Sequence, residues 1–186
     1  MITTMTFRGG RSGEWSIRSM TTLTGAPLPE AYRLAVHEVG PTLAASEARD
    51  DVWTLRGFTS NTRYANHHET RTLRAVQADL GRPEARCAAL IPIRKSDEWW
   101  TLAQDERREI FEEVSHHTRI GLDYLPAIAR KLHHSRDLGE PFDFLTWFEY
   151  APADEASFDA MLVRLRATRE WTYVDREIDI RLIREV

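Results

Sequence analysis

The chain has 186 residues, 42% hydrophobic and 29% charged, which suits one sizeable core, or two small subdomains sharing one, and excludes a disordered chain. Its net charge of -4 and lack of a long Lys/Arg run exclude a phosphate-tracking nucleic-acid binder. Cys87 is the single cysteine, so no intrachain disulfide or cysteine-built zinc or iron–sulfur site can form, and with no signal peptide or membrane-length apolar run a cytoplasmic protein is expected.

In chain order, residues 13–25 read as a strand ending at a glycine turn, and 26–46, with two prolines and two glycines, as loop. Residues 51–61 mix Val52, Trp53, Leu55 and Phe58 with polar positions, a second strand. Leu73, Val76 and Leu80 predict a helix over 67–80, stopped by Gly81 and Pro83. A buried strand follows in RCAALIPI (86–93), then a helix over 102–117 with Ile110, Phe111 and Val114 on its apolar side.

FDFLTWFEY (142–150) is strand-like, and 153–171 places Phe158, Met161, Leu162 and Leu165 on one helical face. REIDIRLI (176–183) alternates as a half-exposed strand. Helices interrupting an antiparallel sheet point to an α+β, ferredoxin-like architecture, with no residue-level repeat and no linker.

The histidine pairs at 116–117 and 133–134 are the first candidates for chemistry. Neighbouring helical residues point about 100° apart, so at most one of His116 and His117 faces a given site. The His-x-x-x-His spacing of helical zinc sites is absent, whereas haem needs a single imidazole. Arg130 lies 13 residues beyond His117, ~20 Å in unbroken helix; Pro126 and Gly121 permit the chain to fold back. Glu170 could accept a hydrogen bond from a ligand histidine, or simply be solvated near a helix end. His133 and His134 read as solvated loop residues without a role. In TSNTRY, Asn61, Arg63 and Tyr64 offer donors suited to carboxylates. Trp99 and Trp100 cannot share one face, so one faces the core and the other needs an interface or a planar ligand.

GFTSNTRY (57–64), IPIRKSDEWW (91–100), DERREIFEEVSHH (105–117), YLPAIARKLHHSRDLGEPFDFLTWFE (124–149) and LRATREWTYVDREIDIRL (165–182) together resemble the chlorite dismutase family, specifically its short dimeric branch. The resemblance implies a homodimeric haem b enzyme that converts chlorite to chloride and dioxygen through a ferryl intermediate and recombination with hypochlorite. It implies a dimeric α+β barrel: a reduced N-terminal ferredoxin-like part (about 1–85) and a haem-binding part (about 86–186). His117 matches the proximal iron ligand, Glu170 the carboxylate behind it, Arg130 the mobile distal arginine and Gln77 the glutamine that orients it. Trp99 matches a tryptophan packed at the haem, Leu132, Thr146 and Phe148 the apolar distal wall, and Asn61 and Tyr64 residues near the propionates. One departure stands out: some relatives back the glutamate with a lysine near the TWFE strand, where Phe142, Phe144 and Leu145 are apolar here. The alternatives are a haem carrier or sensor, a coproheme decarboxylase, which typically has glutamine in place of the arginine, and a peroxidase-like activity.

Overall fold

The computed structural model describes residues 4–39, 50–59 and 78–185. Its strands are β1 (Thr4–Gly10), β2 (Trp15–Thr24), β3 (Arg33–Val39), β4 (Asp51–Thr59), β5 (Cys87–Lys95), β6 (Ala129–His134), β7 (Phe144–Tyr150) and β8 (Val174–Ile183). The α-helices among the described residues are α1 (Asp97–Thr101), α2 (Gln104–Arg108), α3 (His117–Leu122) and α4 (Glu155–Arg166). The strands close into an antiparallel barrel in the order β1-β3-β2-β8-β5-β7-β6-β4.

Two apolar clusters follow from the alternation of side chains along the strands. One fills the barrel, with Phe7, Trp15, Leu55, Leu90, Leu145, Trp147 and Ile180 all buried. The other lies outside, where α4 packs Phe158, Met161, Leu162 and Leu165 on Ala89, Ile91 and Phe148. The four apolar positions expected on α4 are thus its buried face. The glycine at position 9 lets the barrel close around an indole, since a Cβ there would collide with Trp53.

Several expectations need correction. The presumed loop over 26–46 contains β3, and β1 precedes the first expected strand; both are short and flanked by glycine or proline, which hides their alternation. The single helix over 102–117 is three pieces: α2, a π-helical turn over Glu109–Val114, and α3 beginning at His117. His116 breaks the run with a left-handed backbone (φ 53°), and Val114, expected on the apolar side, is exposed. Residues 176–183 are not half exposed: Glu177 and Asp179 are buried because Arg166 of α4 reaches over and pairs with both. Most of the expected helix over 67–80 lies outside the described residues.

Candidate functional site

β6 has no counterpart among the strands expected from the sequence, and it is the strand that builds the site. In the register of β5, β7 and β6, Ala89, Phe148 and Arg130 form one cross-strand row, and Ile91, Thr146 and Leu132 the next. Side chains in such rows project from the same sheet face, here the outer one. Lys131 and His133, at the alternate positions, line a cavity of about 200 Å³ inside the barrel together with Phe7, Trp147 and Glu149. His134 pairs with Phe144 on the outer face. Both histidines are buried, at 1% and 3% exposure, so the reading of them as solvated loop residues is overturned. The strand wall buries both faces, and polar groups occupy positions where apolar ones would have signalled a strand.

The other wall is α3. After Leu122 the chain reverses through 123–128 and returns as β6, so the 13-residue separation becomes a close approach. The guanidinium of Arg130 rests against Gly121, where a Cβ would collide with it. Gly121 is four residues from His117, one helical turn along the same face. Arg130 is thus brought from β6 to the stretch of α3 that carries His117. Burial lowers the pKa of Arg130 from its ordinary value, opposed by the Glu112 carboxylate, yet guanidinium stays charged at neutral pH. Glu112 also accepts from the Thr118 amide at 3.0 Å, satisfying one of the free N–H groups at the start of α3.

Behind His117 lies a buried ionic group. His117 Nδ1 is 2.6 Å from Glu170 Oε2, and Lys95 Nζ donates to Glu170 Oε1 at 2.7 Å. Glu170 is 4% exposed rather than solvated. Burial pushes its pKa up, but the His117 and Lys95 charges and hydrogen bonds outweigh that and lower it to about 2. Three further ties fix it: its amide donates to Ser115 Oγ at 2.9 Å, its carbonyl accepts from Lys95 Nζ at 3.2 Å, and the turn Arg169–Tyr173 frames it. The Phe111 ring stacks on His117 at 4.4 Å. His116 is exposed and points to no such partner among the described residues, which favours the register through His117.

A chlorite dismutase family model matches residues 33–185. The chain belongs to the chlorite dismutase family. A dimeric chlorite dismutase of Nitrobacter winogradskyi has a crystal structure that matches with a TM-score of 0.88 and 54% identity, covering 97% of this chain and 99% of that one. A chlorite dismutase of Ideonella dechloratans is 34% identical over 88 residues, 47% of this chain; the matched stretch spans 29% of that protein's length. The chlorite dismutase of Candidatus Nitrospira defluvii, solved with imidazole, shares the fold (TM-score 0.69, 97% of this chain and 90% of that one) at 20% identity. The α+β fold is accordingly ferredoxin-like, as expected.

Within this chlorite dismutase fold, the apparent lack of a lysine behind Glu170 is corrected: Lys95, at the end of β5, supplies it. The expected position near TWFE is instead apolar, and IRKSDEWW already contained the lysine. Trp99, on α1, is 1% exposed and packs on Tyr173, with Lys95 Nζ 4.7 Å from its ring centre. Trp100 is held separately by Asp143 Oδ2 at 3.2 Å and by Arg136 over its ring, so the two indoles divide as anticipated, one inward and one at a partly open face. Leu132 is more exposed than Phe148, which is 4% exposed. Gln77, Asn61 and Tyr64 lie outside the described residues. Ser115 and Glu112 were missed; each is an ordinary polar residue in a helical stretch, and only the break at His116 gives them their positions.

Proposed function

We propose that the chain is a homodimeric, cytoplasmic haem b enzyme that converts chlorite to chloride and dioxygen. The observation that carries the reading is the His117–Glu170 pair at 2.6 Å, on the stretch of α3 that Arg130 reaches. The residues fit the group. Among the described residues His117 spends only Nδ1 on a hydrogen bond, so Nε2 could bind a haem iron, and no cluster of three His, Cys, Asp or Glu there could hold a bare metal ion instead. The half after about residue 85 carries all of this set, and the N-terminal half completes the barrel.

Haem, when bound, would supply the iron chemistry that breaks the O–Cl bond of chlorite. Glu170 takes the Nδ1 hydrogen bond of His117, fixing the ring's orientation and raising its basicity. Lys95 keeps that carboxylate ionised where burial alone would neutralise it. Arg130, with five donors, would hold the substrate anion, and would keep the chlorine-bearing fragment left after cleavage from escaping. An ion contact at about 4 Å contributes about 1 kcal/mol in water but about 4 kcal/mol at a partly screened site; the wall of Phe148, Leu132, Ile91 and Ala89 provides that screening from water. By the family resemblance, Gln77 would orient Arg130, Trp99 would pack at the haem, and Asn61 and Tyr64 would meet the propionates. The buried lone thiol of Cys87 suits a reducing compartment, and the dimer follows the relative from Nitrobacter winogradskyi.

An oxygen electrode tests the reading. Chlorite added to haem-loaded protein releases about one dioxygen per chlorite, the ratio set by an O–Cl cleavage followed by recombination. Bound haem without dioxygen release would turn the assignment to a carrier, a sensor or a peroxidase.

A further inference from the structure

We infer that Trp171 is the residue from which this protein gives up an electron when its haem is oxidised by peroxide, with no hypochlorite at hand to consume the oxidising equivalents. The inference rests on the haem reading above. Trp171 follows Glu170 in the chain, and its ring lies nearly parallel to that of His117 (16°) with centroids 6.4 Å apart. Its Nε1–H donates to Glu177 Oε2 at 2.7 Å. Glu177 is 2% exposed and its other oxygen accepts from Arg166 Nε at 2.8 Å. An indole that loses an electron becomes a strong N–H acid. A buried carboxylate already at hydrogen-bond distance can take that proton without either group moving, and its charge stabilises the electron-deficient ring.

The other five tryptophans lack one part of this arrangement. Trp99 lies closer to the Lys95 ammonium than Trp171 does, 4.7 against 5.5 Å, and a nearby cation opposes a positive hole. Trp100 has a carboxylate at its N–H but Arg136 4.0 Å and Arg107 5.4 Å from its ring. Trp15 carries Arg184 at 4.3 Å, and Trp53 donates to a neutral carbonyl, that of Pro29. Trp147 donates to Glu149 at 2.9 Å but projects into the barrel, on the far side of β7 from His117.

The step balances with hydrogen peroxide as oxidant. Hydrogen peroxide would take two electrons from the bound haem and two protons from solvent to become two water molecules, which would leave the haem two electrons short. One electron then leaves the Trp171 ring for the haem, and the Nε1 proton passes to Glu177 Oε2, so a neutral indolyl radical remains. A nitroso compound such as 2-methyl-2-nitrosopropane traps it: a ring carbon bonds to the nitroso nitrogen, and the unpaired electron moves to the resulting nitroxide.

The experiment mixes haem-loaded protein with peroxide and this trap, then locates the adduct by peptide mass spectrometry. The expected result is adduct on the Trp171 peptide, lost in Trp171→Phe and reduced roughly tenfold in Glu177→Gln, whose neutral amide cannot take the proton. The haem absorption spectrum is unchanged in both variants. A normal haem spectrum with adduct on another tryptophan, or with an undiminished Trp171 adduct in Glu177→Gln, would overturn this inference alone. A protein that shows no haem absorption after loading would overturn the haem reading and this inference with it.

Discussion

At the scale of single residues, the site depends on charges that burial would cancel if they were not paired. Glu170 is the clearest instance: with its two oxygens divided between His117 and Lys95, removing either partner strands a charge. Lys95→Met leaves the carboxylate with one partner in a water-poor setting, and breaking a buried pair costs about 3–5 kcal/mol. At roughly 2–4 °C of melting temperature per kcal/mol for a chain of this size, thermal unfolding of the haem-free variant should start markedly earlier. A change under a degree would mean the pair contributes little. Glu170→Gln acts on the other partner. An amide cannot draw the imidazole proton as a carboxylate does, so the haem potential rises and haem affinity falls by about 10–100-fold. Spectroelectrochemistry and haem transfer to an acceptor protein measure the two. Arg130→Ala, by contrast, keeps haem, lowers chlorite turnover about 100-fold and lets hypochlorite escape to a chlorination trap; full turnover with no extra trapped hypochlorite would remove the role given to it.

At the scale of elements, the approach of α3 to β6 sets the site, and it hinges on a missing side chain. A Cβ on Gly121 would collide with the Arg130 guanidinium, so Gly121→Ala is expected to push the arginine out of position while leaving the helix, which favours alanine, intact. Turnover should then fall about 10–100-fold, as for a displaced reacting group, with His117 and the haem spectrum unchanged. Equal turnover in this variant would show that the arginine works from elsewhere. The same approach explains what could be read from sequence. The α4 stripe of Phe158, Met161, Leu162 and Leu165 was legible because one face meets the sheet and the other meets water. β6 was not, because ARKLHH spends one face on the barrel interior and one on the site, so neither face shows an apolar alternation. The helix that ends in the site was legible in composition but not in its breaks, since a left-handed residue at His116 and a π-helical turn leave no mark that residue type alone reveals. His117, Glu170 and Arg130 could be singled out as types, but their meeting depends on the reversal after Leu122 and on a strand that the sequence hid. Lys95 was hidden for a different reason: its partner is 75 residues away, and no local pattern joins them.

At the scale of the whole molecule, the barrel carries a polar interior that acid should exploit. His133 sits inside it, bonded through Nδ1 to Thr59 Oγ1 at 3.2 Å and edge-on to Phe7. Burial, then the charges of Lys131 and His134, lower its pKa from 6.5 to about 4. A depressed histidine is neutral in the folded barrel while the unfolded chain already binds a proton, so the unfolded state holds more protons between those two values and stability rises with pH there. The contribution is fully present above pH 6.5 and is lost as pH falls through about 4, amounting to about 3 kcal/mol at about 1.4 kcal/mol per unit of pKa. Glu170, lowered from 4.5 to about 2, adds a second loss of the same sign, over a more acidic window. Chemical denaturation at a series of pH values should therefore give a stability that declines in two stages. His133→Asn retains an amide able to meet Thr59 but has nothing to titrate, so its stability should run flat from pH 6.5 to about 4.5 and fall only below that. The variant's absolute stability depends on how well the smaller side chain fills the space beside Phe7, whereas the slope depends only on the proton. A variant with the same slope as the parent would place the acid sensitivity outside the barrel.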